Sequence, residues 1–165
     1  MATKNRHIRG ATKDIQLPVH GNVVVEKGDL IIENNTASSV SSHTTADGYG
    51  FPVSSLQHGS PTYYANQFAG VAMTGSVSGV TNNIWVATAG QFRFPLQATA
   101  GVTTGVIVSG ATTAANLNTD QEVVCEKNSG ASSVIGRCVK TEAAATNCDF
   151  TLLTRYSGVS YFDLV

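Results

Sequence analysis

Gln67–Leu96, QFAGVAMTGSVSGVTNNIWVATAGQFRFPL, decides the fold class. At its centre, Gly75-Ser76-Val77-Ser78-Gly79 invites comparison with the G-x-S-x-G nucleophile elbow, with Ser76 or Ser78 as the nucleophile. An elbow needs a strand before it and a helix after it. Phe68–Thr74 supplies the strand. The segment after the turn is strand again: Ile84, Val86 and Thr88 alternate with Trp85, Ala87 and Ala89, the period-two pattern of a pleated segment. The glycines and serines therefore read as a connection between antiparallel neighbours, where Gly supplies the backbone freedom that tight turns need. A triad would also need a histidine and an acid brought to the serine. His43 and His58 fall in a long polar stretch, and His7 and His20 fall near the start of the chain. No catalytic residue is assigned, and the chain is not expected to be an enzyme.

Outward from this centre the pattern stays β. Phe92 and Phe94 flank Arg93, giving one apolar and one charged face, and Pro95 is expected to end that strand or place it at an edge. Upstream, Asn22–Glu26 (NVVVE) and Asp29–Glu33 (DLIIE) are short β-branched runs separated by the turn Lys27-Gly28. Downstream, GVIVSG, QEVVCEK, SVIGRCVKT and NCDFTLLTR are each bounded by turn-forming residues. No long segment carries a helical apolar stripe. The best helix candidate, TTAANLNTD at 112–120, is short. Many short strands at such spacing indicate a compact, all-β barrel or sandwich. Residues 37–62 form a long Ser/Thr/His-rich loop, with one short strand expected around Phe51–Leu56.

Residues 1–20 read as an extended basic N-terminal arm, preceding a single β-rich domain at 21–165. Lys4, Arg6, Arg9 and Lys13 all come before the first acid, Asp14, whereas Gly28–Phe92 contains no Lys or Arg. An extended segment of this length reaches at most about 65 Å, far enough to touch a neighbouring molecule. Charged residues make up 13 % of the 165 residues and the net charge is −1, against about 25 % charged in an average soluble domain. So few cations leave strand edges without gatekeepers against pairing, which suggests edges covered in an assembly.

Other chemistry finds little support. Cys125, Cys138 and Cys148 are far apart and lack the close paired spacing of a zinc site. They read as reduced, buried thiols, although one bridge among them stays open. Asp120 and Glu122 are too sparse for a calcium loop. There is no phosphate-binding glycine loop. The arm's four cations lack interleaved aromatics, so no specific nucleic acid is expected. No cofactor, metal or membrane partner is expected either. Neither a secretory leader nor an apolar span of about 20 residues is present, and synthesis in a cytoplasm is the expectation. The sequon Asn34-Asn35-Thr36 is then chance.

EKGDLIIENNTA, FAGVAMTGSVSG, IWVATAGQFRFPL and GVTTGVIVSGA together carry a resemblance. In order they give a Gly-Asp strand start, an F-x-G-V-A strand, a small-residue turn, a strand ending in aromatics at Gly90–Pro95 and a G-x-V strand. The chain resembles the small head-decoration, or capsid cement, proteins of tailed bacteriophages over about residues 21–160, most clearly at 66–112. The loop at 37–62 and the basic arm depart from that pattern. The resemblance implies a β-barrel or sandwich that sits on the exterior of an icosahedral capsid in the virion, often as a trimer. There it would bind the major capsid protein and bridge its subunits. Lys4, Arg6, His7 and Arg9 would then contact the capsid or a neighbouring subunit. Phe68, Val71, Trp85, Phe92 and Phe94 would be core or subunit interface. The alternative is a tail or fibre-associated β-sandwich module that binds a host receptor or glycan through the 37–62 loop.

Overall fold

The computed structural model describes residues 6–19, 21, 23–33, 50–52, 67–112, 119–127 and 134–157. Among them run eleven strands: β1 (Arg6–Arg9), β2 (Asp14–Val19), β3 (Leu30–Glu33), β4 (Gly50–Pro52), β5 (Phe68–Ala72), β6 (Asn82–Ala87), β7 (Gln91–Val102), β8 (Ile107–Thr112), β9 (Thr119–Lys127), β10 (Val134–Cys138) and β11 (Glu142–Leu152). They form two sheets. The larger has the order β1-β7-β11-β10-β8-β9, and β9 also meets β7 in parallel at Leu96↔Val124, so the sheet curls back on itself. The smaller is antiparallel throughout, in the order β2-β6-β5-β3-β4. The all-β barrel or sandwich expected from the sequence is what the chain forms.

Several local expectations need correcting. The Gly75–Gly79 stretch does join antiparallel neighbours, β5 and β6. The run Asn22–Glu26, expected to be a strand, contributes only one isolated bridge, Val25 to Ser76. Its alternation survives: Val23 and Val25 are buried while Val24 is exposed. β7 does not stop at Pro95. That residue stands opposite Asn147, at the last position before β7 and β11 fall out of register, so the missing N–H falls where the ladder is interrupted anyway. The short strand expected around Phe51–Leu56 is Gly50–Pro52. The rest of the 37–62 loop, and 113–118 of the helix candidate, lie outside the described residues. Thr119 and Asp120 open β9.

The N-terminal segment is extended, but it is not a free arm. β1 pairs with β7 in the larger sheet, and β2 pairs with β6 in the smaller one along six consecutive positions, Asp14↔Ala87 to Val19↔Asn82. Between β6 and β7 the chain crosses from one sheet to the other at Thr88–Gly90. Both the N–H and the hydroxyl of Thr88 donate to the carbonyl of Lys13, each at 2.7 Å. On the other flank, Thr154 Oγ1 donates to the Thr88 carbonyl at 2.9 Å, and the Leu152 N–H donates to the Gly90 carbonyl at 3.0 Å. Three chain segments thus cross the sheet junction side by side.

The core follows from the alternation. Phe92, Phe94 and Phe150 project from one face of β7 and β11, with Phe94 and Phe150 at 5.4 Å between ring centroids. In β3 and β5, Leu30, Ile31, Ile32 and every residue of Phe68–Ala72 are buried. Such strands are covered on both faces and read as continuous apolar runs. Each large side chain so buried contributes about 1.5–3 kcal/mol. Cys138 and Cys148 are buried and outside any disulfide, as expected, and Cys125 falls on β9.

β5 carries a bulge: Ile31 faces Gly70 and Ile32 faces Phe68, leaving Ala69 unmatched. Gly70 has φ +147°, and a Cβ there would stand 1.9 Å from the carbonyl oxygen of Ala87. Close approach of β5 and β6 therefore requires glycine at this position. Gly70→Ala should lower unfolding free energy by at least about 3 kcal/mol, read from urea unfolding, with a wild-type midpoint counting against this account.

Beyond β11 the chain docks on the smaller sheet. The Arg155 N–H donates to the Phe68 carbonyl at 3.1 Å, Arg155 Nη1 stands 3.2 Å from Glu33 Oε2, and the Tyr156 hydroxyl donates to the same carboxylate. The Arg155 guanidinium also lies 5.4 Å from the Tyr156 ring centroid. The Tyr156 hydroxyl is pushed up to about 12, first by burial, then by its bond to Glu33 and that group's charge, with Arg155 opposing. A pKa raised on folding gives stability that is whole below the unfolded value of about 10 and is lost as pH climbs towards the folded one. Wild-type stability should therefore fall more steeply than that of Tyr156→Phe between about pH 10 and 12. Urea unfolding of both proteins across that window checks it, and parallel curves would remove Tyr156 from the clamp.

Candidate functional site

The basic segment singled out in the sequence becomes the rim of the larger sheet. Arg6 stands opposite Arg93 and His7 opposite Phe92; the register then shifts, so that Arg9 faces Gln91 and Ile8 is the extra residue. Among the described residues no strand lies on the outer side of β1. His7, Ile8 and Arg9 are exposed. β1 is anchored through His7, whose ring meets Phe92 edge-on at 5.4 Å. Gly90 makes room for it: at φ +117° and with no side chain, it leaves the space where a Cβ would stand 3.2 Å from His7 Cδ2. Among the described residues, β1 is thus an edge strand whose outer side meets no other strand, and its sequence carries Arg6 and Arg9. Such an edge can accept a strand from another chain. Its bulge and its charges also discourage indiscriminate pairing.

The other residues singled out from the sequence separate clearly. Lys4 lies outside the described residues. Phe68, Val71, Phe92 and Phe94 are core, at most 1 % exposed. Trp85 is not: it is 46 % exposed on the outer face of β6, because its neighbours Ile84 and Val86 take the inward positions of a period-two strand. Val24, Val77 and Val80 are exposed as well. The bridge that pairs Val25 with Ser76 puts Val24 and Val77 next to each other. This end of the smaller sheet therefore exposes apolar side chains, next to the exposed Glu26 and Lys27.

Among the described residues, the serine pair meets no histidine–acid arrangement. The third residue of the stretch is Val77, so the serines occupy the second and fourth places rather than the nucleophile's. Ser76 is buried, with its N–H and carbonyl both bonded to Val25 at 2.9 and 3.0 Å. His7 packs against Phe92 in the other sheet. His20, His43 and His58 are outside the described residues.

Sequence reasoning missed the partners of the charges. Arg93, recognised only as the charged face of its strand, holds Asp149 of β11 in a two-pronged bond, Nε to Oδ1 at 2.6 Å and Nη2 to Oδ2 at 2.7 Å. That bond, and then the charge of Asp149, raise the guanidinium's pKa. Lys140 pairs with Glu142 nearby. The Arg93 pair becomes legible only once the β7–β11 register is known, which sets Asp149 opposite Arg93.

No protein-family model matches the chain, and no curated protein sequence matches it. Among solved structures, it is similar to the N-terminal base of the head fiber protein gp8.5 of bacteriophage phi29. The TM-score is 0.44 at 11 % identity, over 86 % of this chain and 95 % of that one. A likeness of that degree establishes neither a shared fold nor a shared role.

Proposed function

We propose that this chain is a structural virion protein, not an enzyme. It would bind the outer face of an icosahedral phage capsid, as a homo-oligomer with a trimer favoured, and stabilise the shell by bridging major capsid protein subunits. The observation that carries the proposal is β1: an open, cation-bearing edge held firmly to the core through His7 and Phe92. Arg6 and Arg9 give it the charge to meet an acidic, extended segment of the major capsid protein, and its main chain gives it the hydrogen bonds. The sequence resemblance supports the same reading, since its motifs are the strands β3, β5, β6, β7 and β8 that build the domain. The exposed Trp85 and the valines Val24, Val77 and Val80 offer apolar surface for neighbouring subunits. Copies repeated over a shell would multiply a modest affinity through avidity. Neither nucleic acid nor membrane has a part in this role.

Truncation is a poor test, because removing the first sixteen residues would delete β1 and half of β2. Charge reversal is cleaner. Purified protein mixed with expanded, undecorated heads of the phage that encodes it should pellet saturably, at a fixed ratio to the major capsid protein. Arg6→Glu with Arg9→Glu should weaken that binding at least about tenfold, while Ser76→Ala with Ser78→Ala should leave it unchanged. Absence of pelleting at micromolar protein would overturn the proposal in favour of the tail or fibre reading.

A further inference from the structure

Between Pro95 and Ala100, β7 swings away from β11 to reach β9. The register runs Asn147↔Pro95, then Ala145↔Ala100, so five steps along β7 answer two along β11. β11 is bulged again between Glu142 and Ala145. Beside this parted ladder is a cleft of about 210 Å³, lined by Arg93, Val102, Lys140, Glu142, Ala144, Thr146, Asn147 and Asp149. Its charges cancel: two cations face two carboxylates, in the pairs Arg93–Asp149 and Lys140–Glu142. Thr146 and Asn147 add a hydroxyl and an amide, bonded to each other at 3.1 Å.

The donor set selects a ligand class. An anion in the cleft would meet two carboxylates, a cation would meet a guanidinium and an ammonium, and an apolar group would strand six polar side chains. A ligand bearing several hydroxyls satisfies both signs at once, because each hydroxyl donates and accepts. Asp149 can still accept on further lone pairs, and Arg93 has N–H groups beyond the two it gives to Asp149. The volume is below the roughly 300–1,000 Å³ of pockets for drug-sized ligands, which suits one ring rather than a chain of them. We infer that the β7–β11 cleft is a binding site for a neutral saccharide, one sugar ring deep. The inference is independent of the head-binding role, since the cleft residues are not those proposed to meet the capsid.

The test is amide NMR of the full chain, titrated separately with glucose, galactose, mannose and N-acetylglucosamine, and with inorganic sulfate. At least one sugar should shift cleft amides, centred on Thr146, Asn147 and Asp149, and approach saturation at millimolar concentration. Thr146→Val with Asn147→Leu, at exposed and half-buried positions, should weaken that sugar at least tenfold while the rest of the spectrum stays folded. The inference fails if no sugar moves the cleft amides. It fails equally if the shifts survive unchanged in the double variant, or if sulfate moves the same amides as strongly.

Discussion

Thr88–Gly90 ties the two sheets together. These residues carry the chain from β6 to β7, and hence from the smaller sheet to the larger. Left bare, the crossing would bury backbone groups without partners, each costing about 1–3 kcal/mol. Instead, Lys13 accepts from Thr88 on one flank, while Thr154 and Leu152 donate to Thr88 and Gly90 on the other. Satisfying this crossing fixes the course of the segments beside it. Gly10–Lys13 must run from β1 to β2 alongside it, and the chain after β11 must turn onto the smaller sheet. From there Arg155 and Tyr156 reach Glu33.

The charged groups follow the same logic. Arg93 and Asp149 sit opposite one another on the polar face of two strands whose other faces hold Phe92, Phe94 and Phe150. A two-pronged, partly shielded pair adds geometric definition as well as energy. It fixes register on a face where apolar packing cannot. Among the described residues, the rim at β1 and the parted β7–β11 ladder are two places where main-chain pairing in the larger sheet stops.

The middle of the chain was legible because its signals were local. Alternation in Ile84–Ala87 and Phe92–Phe94, with glycines between, identified β6, the turn before it and the start of β7. Of the two places expected for Trp85, core or subunit interface, the core is excluded by its position in the alternation, which leaves it exposed. In residues 6–19, read as an arm, the pairing was hidden for two reasons. In β1, the sequence RHIR has no apolar face of its own and depends on Phe92 and Gly90. In β2, Ile15, Leu17 and Val19 do alternate with Asp14, Gln16 and Pro18, but Pro18 lacks the N–H that a ladder uses. It is tolerated because β2 is an edge strand. The candidate rim was legible as a run of cations, but its attachment to β7 was not, since nothing local to Arg6–Arg9 points to residues so distant.

That distance bears on the order in which the chain can fold. Thr88 meets Lys13 across 75 residues and Tyr156 meets Glu33 across 123. Such pairings must pay for loop closure before any contact rewards it, which makes folding slow. On the ribosome, β1 and β2 emerge before β6 and β7 and must wait for them. The junction between sheets stays incomplete until Leu152–Tyr156 has been made. Throughout that interval the β1 segment is unpaired, and its arginines guard it against pairing with another nascent chain. The arginines that mark the rim of the folded sheet thus also guard the chain before that sheet exists.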